Sequence, residues 1–320
     1  MLASLSQSLD NNIIVGFNTS DDAGVYKLNE KQALVSTADF ITPPIDDPYT
    51  FGQIAASNSL SDIYAMGGNP ISCLNLAGFP SKKLDHKILN RILEGANQKI
   101  VEAGAVLLGG HTTENVEPFF GLAVTGLGNP KKVWKNNGAK IGDQLILTKS
   151  IGSGVLFNAN LKNLVSSKAL RKCIDSITFL NKNAAEVFLN YEIHATTDVT
   201  GFGLAGHAIE MISDSKLSFN FNLKAIPIMD EALEMYQRGV TTGINQNNRN
   251  LVEKNWHFAE KTNPIQQELM LDPQTSGGLL VAVPTAKVQN ILKDLHDNGV
   301  YEASHIGYVS DFNGSKLYFK

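Results

Sequence analysis

Phe51-Gly-Gln-Ile-Ala-Ala-Ser-Asn-Ser-Leu-Ser-Asp-Ile-Tyr-Ala-Met66 carries a single charge, that of Asp62. Just ahead, Asp47-Pro48 offers an N-cap and a proline at the first helical position. Gly67-Gly68 follows and stops the run. The stretch therefore reads as a helix from Asp47 to about Met66. Its residues are small and apolar, so it is expected to be buried on most sides. A carboxylate in such a place needs a cation, a metal or several donors. Asn58 stands four residues before Asp62, on the same helical face, and adds a second oxygen. The plainer alternative is an aspartate that caps a loop or pairs with a lysine.

Around this helix the first half alternates strand-like and helix-like segments. Residues 13–17, 25–28 and 33–38 read as short strands, 71–77 as another, and 88–103 as a second helix ending at Gly104. Residues 105–108 and 121–126 read as strands. The stretch 129–142, rich in Lys, Asn and Gly, is the linker candidate. Beyond it come a strand at 144–148, helical stretches at 167–190 and 203–213, and strands at 217–223, 279–283 and near Leu317, with a helix at 286–297. Residues 241–263 are polar and read as a long surface loop. The order suggests two α+β domains, 1–130 and 143–320, joined by a linker at 131–142.

The chain has 320 residues, is 43% hydrophobic and 18% charged, and has a net charge of −4. These values suit a globular protein with real cores and argue against a nucleic-acid surface. No apolar run approaches the roughly 20 residues of a membrane helix, and the first residues lack a signal peptide's basic and apolar regions. Cytoplasmic localisation is expected. Cys73 and Cys173 cannot form a zinc site alone. Cys73 reads as a buried strand position. Cys173 reads as a helix-surface or core thiol, although Arg171 and Lys172 beside it could lower its pKa. The arginines are Arg91, Arg171, Arg238 and Arg249, against 23 lysines. A phosphate site would lean on metal ions, backbone N–H groups and lysine.

Other candidates are weaker alone. Asp21-Asp22 pairs two carboxylates that a divalent cation would reconcile, though most such pairs are turns. Asp39 ends a strand. Asp198 lies between an extended run and a helix, where it could be an N-cap only. Gly109-Gly-His-Thr112 follows an apolar strand and could bring N–H groups to a phosphate or form a tight turn. Gly201-Phe-Gly-Leu-Ala-Gly206 matches G-x-G-x-x-G. The preceding Thr-Thr-Asp-Val-Thr reads as a poor strand ending, so a nicotinamide or flavin site is not expected.

Together these pieces resemble one family. Thr19-Ser-Asp-Asp-Ala23, Asp46-Asp-Pro-Tyr-Thr-Phe-Gly52, Asn58-Ser-Leu-Ser-Asp-Ile-Tyr-Ala-Met-Gly-Gly68, Gly109-Gly-His-Thr112, Thr197-Asp-Val-Thr-Gly-Phe-Gly203 and Asp272-Pro-Gln-Thr-Ser-Gly-Gly278 are similar to the motifs of selenophosphate synthetase (selenide, water dikinase). The resemblance spans nearly the whole chain. It implies a two-domain α+β fold of the aminoimidazole ribonucleotide synthetase type and a homodimer pairing through its N-terminal sheets. It also implies synthesis of selenophosphate from selenide, ATP and water, releasing AMP and orthophosphate. By motif position, Asp22, Asp62 and Asp198 would hold Mg²⁺. Thr19, Ser20, Asp21, Asp39, Asp62, Gly110, His111 and Thr112 would line the ATP site.

The family also carries a Gly-rich segment with a cysteine or selenocysteine and then a lysine, upstream of the position of Met1. This chain contains no counterpart, so ATP binding with weak or absent selenophosphate formation is expected of it as given. Leu2, Leu5 and Leu9 sit at helical spacing with no cap before them, which suggests an element starting further upstream. A selenocysteine codon read as stop would explain this, and an in-frame TGA upstream would test it; a paralogue that lost the segment is the alternative. Two other functions stay open: a non-catalytic nucleotide-binding protein and another small-molecule kinase of the same superfamily.

Overall fold

The computed structural model describes residues 10–320, so the helix expected through Leu2, Leu5 and Leu9 lies outside the described residues. The chain divides into two compact units. One runs to Trp134 and also takes Thr178–Lys182; the other comprises Lys135–Ile177 and Asn183–Lys320. Each mixes helices with a mostly antiparallel sheet. Among the described residues, no helix is long and apolar enough to cross a membrane.

The first unit runs β1 (Ile13–Val15), β2 (Gly24–Lys27), β3 (Ala33–Ile41), α1 (Pro48–Ala65), β4 (Asn69–Phe79), α2 (His86–Ala103), β5 (Val106–Glu114) and β6 (Phe119–Gly128). Its sheet has the order β1-β2-β3-β6-β4-β5. Neighbours are antiparallel except β4 and β5, which α2 joins as a parallel pair. The start of α1 follows from its sequence: Asp47 accepts a hydrogen bond from the Thr50 N–H at 2.8 Å, and Pro48 begins the helix. From Ile54 to Ala65 every residue of α1 is buried except Asp62. The two helices touch backbone to backbone. A Cβ on Gly52 would lie 1.9 Å from the Ile92 carbonyl oxygen, and one on Gly95 would lie 1.9 Å from that of Tyr49. The glycines at 109 and 110 do not end a strand in a turn. They lie within β5, at φ of 145° and 155°.

The second unit contains β7 (Gln144–Leu147), α3 (Ser153–Leu161), α4 (Ser167–Thr178) up to Ile177, α5 (Lys182–Phe188) from Asn183, β8 (Ala195–Asp198), α6 (Gly203–Ile212), β9 (Leu217–Phe221), α7 (Ala232–Gln237), α8 (Asn245–Val252), β10 (Trp256–Phe258), α9 (Pro264–Leu271), β11 (Leu279–Val283), α10 (Val288–Asp297), β12 (Ser304–Asp311) and β13 (Leu317–Phe319). The sheet order is β10-β13-β9-β12-β7-β11-β8. All five residues of β11 have zero exposure, as expected of a strand covered on both faces. Residues 241–263 are not a loop: α8 and β10 lie there. The helical stretch at 167–190 is two helices, α4 and α5. A strand, β8, does precede Gly201, contrary to the sequence reading, but it pairs antiparallel with β11 and makes no dinucleotide-binding βαβ unit.

Candidate functional site

Strand β3 and helix α1 present matched polar ladders. Alternation along a strand puts Thr37 and Asp39 on one face. The i, i+4 spacing of a helix puts Asn58 and Asp62 on one face. The Thr37 hydroxyl donates to Asp62 Oδ2 at 2.5 Å, and the Asn58 amide donates to Asp39 Oδ2. Two strand residues advance about 6.6 Å and four helix residues about 6 Å, so both pairs meet when the helix runs against the strand. Ser59 fixes the mounting. Its hydroxyl lies 3.0 Å from the Asp39 carbonyl oxygen and accepts from the Leu122 N–H on β6 at 3.1 Å. The Phe40 N–H donates to the other Asp39 oxygen, Oδ1, at 2.8 Å. Two carboxylates are thus oriented on one surface by donors from the first unit itself.

The remaining candidates of this unit fall on the same sheet or in the β1–β2 connection beside it. The Thr19 hydroxyl donates to Asp21 Oδ2 at 2.5 Å, and Ser20 between them is exposed. Asp22 is half-buried, two residues before β2. Because Gly24 pairs with Ser36, the chain at Asp22 enters beside the Thr37–Asp39 end of β3. Gly110 stands in the same row of the sheet as Asp39, through Leu122 and Asn75. Three strand spacings separate them, about 14 Å, so only an extended ligand could touch both. Gly110, His111 and Thr112 are exposed on the edge strand. Glycine is required at 110, since a Cβ there would lie 2.3 Å from the Asn75 carbonyl oxygen.

Asp198 belongs to the second unit. It ends β8 opposite Leu279 and is 2% exposed. It is not an N-cap, because α6 begins after Phe202. The structure therefore brings Asp39 and Asp62 together in one unit and places Asp198 in the other. Sequence reasoning passed over Thr37. Its signal was its place two residues before Asp39, on the same strand face.

Three of the four arginines are already engaged. Arg91 pairs with Glu94, Arg238 lies 3.7 Å from Glu234, and Arg249 pairs with Glu268. The two thiols are buried. Burial pushes the Cys73 thiol up to about 11. Burial, with Asp272 and Glu302 nearby, raises that of Cys173, overruling the basic neighbours in its sequence.

Comparison with known proteins agrees with this architecture. The family described as AIR synthase related protein, N-terminal domain, matches residues 20–128, and its C-terminal counterpart matches 140–320. A selenide, water dikinase of Clostridioides difficile is 46% identical over 93% of this chain and 85% of its own length. One from Clostridium botulinum, strain Eklund 17B, is 42% identical over 100% and 92%. Among solved structures, thiamine monophosphate kinase from Aquifex aeolicus covers 93% of this chain and 91% of its own, at TM-score 0.69 and 17% identity. The Escherichia coli hydrogenase maturation protein HypE covers 91% and 86%, at 0.71 and 15%. The structural likenesses fix the two-domain fold, and the sequence likenesses fix the narrower group: the chain belongs to the selenide, water dikinase family of AIR synthase-related proteins.

Proposed function

We propose that this chain forms selenophosphate from selenide, ATP and water, releasing AMP and orthophosphate. The observation that carries the reading is likeness along the whole chain, 42–46% identity, to relatives named for that reaction. The carboxylates oriented on β3 and α1 support it, because residues distant in the chain, Thr37 and Asp39 on one side and Asn58 and Asp62 on the other, are brought together there.

In this reading Thr19, Ser20, Asp21, Asp39, Asp62, Gly110, His111 and Thr112 line the ATP site. Asp22, Asp62 and Asp198 hold Mg²⁺. The donor set suits that ion, since all three ligands are carboxylates, with no thiol or imidazole. Among the described residues, no three His, Cys, Asp or Glu side chains gather into a metal cage. Mg²⁺ needs none: it is commonly held by one or two carboxylates, with substrate phosphates and water completing its shell, so the three aspartates need not share one ion. Held by these carboxylates, Mg²⁺ would supply charge neutralisation to the transferring phosphoryl group. The protein's own share is orientation. Thr37 and Asn58 hold the Asp62 and Asp39 carboxylates at fixed rotamers before nucleotide arrives. With three of the four arginines engaged, lysine and backbone donors are the main groups left to meet the phosphates.

The same reading takes the protein as a cytoplasmic homodimer paired through its first-unit sheets. Phe40, Leu74 and Leu108 are 56%, 46% and 69% exposed on that sheet, and β5 is a nine-residue edge strand, features that favour a partner. The buried thiols suit a reducing compartment. The test is nucleotide product analysis with Mg-ATP. Selenide-dependent AMP is expected. ADP as the end product would instead indicate a small-molecule kinase, and Mg-ATP binding without turnover a non-catalytic role.

A further inference from the structure

The loop Asp272-Pro-Gln-Thr-Ser-Gly-Gly278 lies between α9 and β11. Asp272, Gln274 and Ser276 are 0%, 4% and 1% exposed. The side-chain oxygens of Asp272 and Gln274 are spent on the start of α3. Helix α3 begins with N–H groups that no helical carbonyl can satisfy. Gln274 Oε1 accepts from the N–H groups of Gly152 at 2.9 Å and Ser153 at 3.1 Å. Asp272 Oδ2 accepts from the Gly154 N–H at 3.0 Å, and Oδ1 from that of Val155 at 2.9 Å. Two side chains from a distant loop thus satisfy four consecutive donors at the helix start. The carboxylate is held further by the Tyr236 hydroxyl at 2.6 Å and the Gln274 amide at 2.9 Å.

The same loop grips the turn that follows Asp198. The Gln274 N–H donates to the Thr200 carbonyl oxygen at 2.9 Å, and the Val199 N–H donates to that of Gly278 at 2.9 Å. A Cβ on Gly277 would lie 2.0 Å from the Val199 carbonyl oxygen, so the contact is close-packed. The loop is therefore clamped at one side on a helix start and at the other on the residues next to Asp198.

We propose that Asp272 and Gln274 are positioning residues for the Asp198 carboxylate, an inference that rests on the reading of Asp198 as a metal ligand. Their side chains fix the loop on α3, and the loop's backbone fixes the turn from Val199 to Thr200. Slack in the clamp displaces the carboxylate from the ion without touching nucleotide contacts elsewhere.

The test measures binding of a fluorescent ATP analogue during a Mg²⁺ titration and, separately, in EDTA. Gln274→Ala is expected to raise the Mg²⁺ concentration for half-saturation about tenfold, the usual scale for groups that orient a ligand. Affinity in EDTA is expected to stay at the wild-type value. Phe319→Leu is the stability control. It alters a buried residue of β13, five strands from β8 in the sheet order. It is expected to lower the thermal midpoint and leave the Mg²⁺ curve alone. If Gln274→Ala fails to fold, the near-isosteric Asp272→Asn carries the test, with a shift of about tenfold, the low end of the same scale, in the same direction. A wild-type protein that binds nucleotide equally with and without Mg²⁺ overturns the metal reading, and this inference with it. A Mg²⁺-dependent wild type whose clamp variants behave like Phe319→Leu overturns the positioning role alone.

Discussion

Thr37 and Asp62 stand 25 residues apart in the chain, and the hydroxyl of the first donates to the carboxylate of the second at 2.5 Å. The bond crosses from strand to helix at the one position between Ile54 and Ala65 where α1 is not fully buried. A carboxylate so placed is oriented by the protein and partly exposed. That combination suits the ligand role proposed for Asp62.

Thr37→Val removes the donor while keeping the side chain's shape. A hydrogen bond to a charged group is worth about 1.5–3 kcal/mol. Affinity for Mg-ATP is expected to fall by roughly tenfold or more, by the same arithmetic. Equilibrium binding with labelled nucleotide checks it. Unchanged affinity would mean that Asp62 needs no help from Thr37.

Replacing glycine by alanine in a helix usually adds stability, by about 1 kcal/mol. At Gly52 and Gly95 the opposite is expected. Each new methyl would meet a carbonyl oxygen of the facing helix at 1.9 Å, and overpacking costs about 1–3 kcal/mol. Urea unfolding of Gly95→Ala is expected to show a lower midpoint than the parent chain. A higher midpoint would place the helices further apart than described.

Burial raises the carboxyl of Asp272 from its ordinary 3.8 up to about 7, against the pull of Tyr236, Gln274 and two backbone N–H groups. The folded state therefore binds this proton more tightly than the unfolded chain does. The associated stability is complete below pH 3.8 and is lost as pH rises toward 7, where burial of the ionised form costs about 4 kcal/mol. Asp272→Asn removes this group's part of the slope. Denaturant unfolding of both proteins between pH 4 and 8 is expected to show the parent losing stability relative to the variant as pH rises. A difference independent of pH would show that Asp272 does not titrate there.

How much of this was legible beforehand depended on whether the signal was local. Asp47-Pro48 announced α1, because capping needs only neighbours in sequence. The run 279–283 announced β11, because a strand covered on both faces is apolar at every position. Helix α8 was hidden. Its buried face includes Asn245 and Asn248, whose amides bond to Tyr236, Glu268, Gly201 and Leu271. Buried asparagines satisfied by distant partners look, in sequence, like a polar loop.

The site divides in the same way. Asp62 stood out because a lone charge in a small apolar helix is costly. Asp39 and Asn58 could be named, but their pairing comes from the register of strand against helix, which no local pattern carries. Thr37 was silent, since threonine is ordinary in a strand. Gly109 and Gly110 suggested a turn because glycine usually marks one. Here β5 continues through both and pairs with Leu74 and Asn75. A row of the sheet that joins Asp39 to Gly110 exists only once the strand order is known.

The most direct test is the affinity of Asp62→Ala for ATP, measured with Mg²⁺ and in EDTA on protein shown to be folded. The account predicts a loss of at least about tenfold with Mg²⁺ and little change in EDTA. Wild-type affinity in the presence of Mg²⁺ would contradict it.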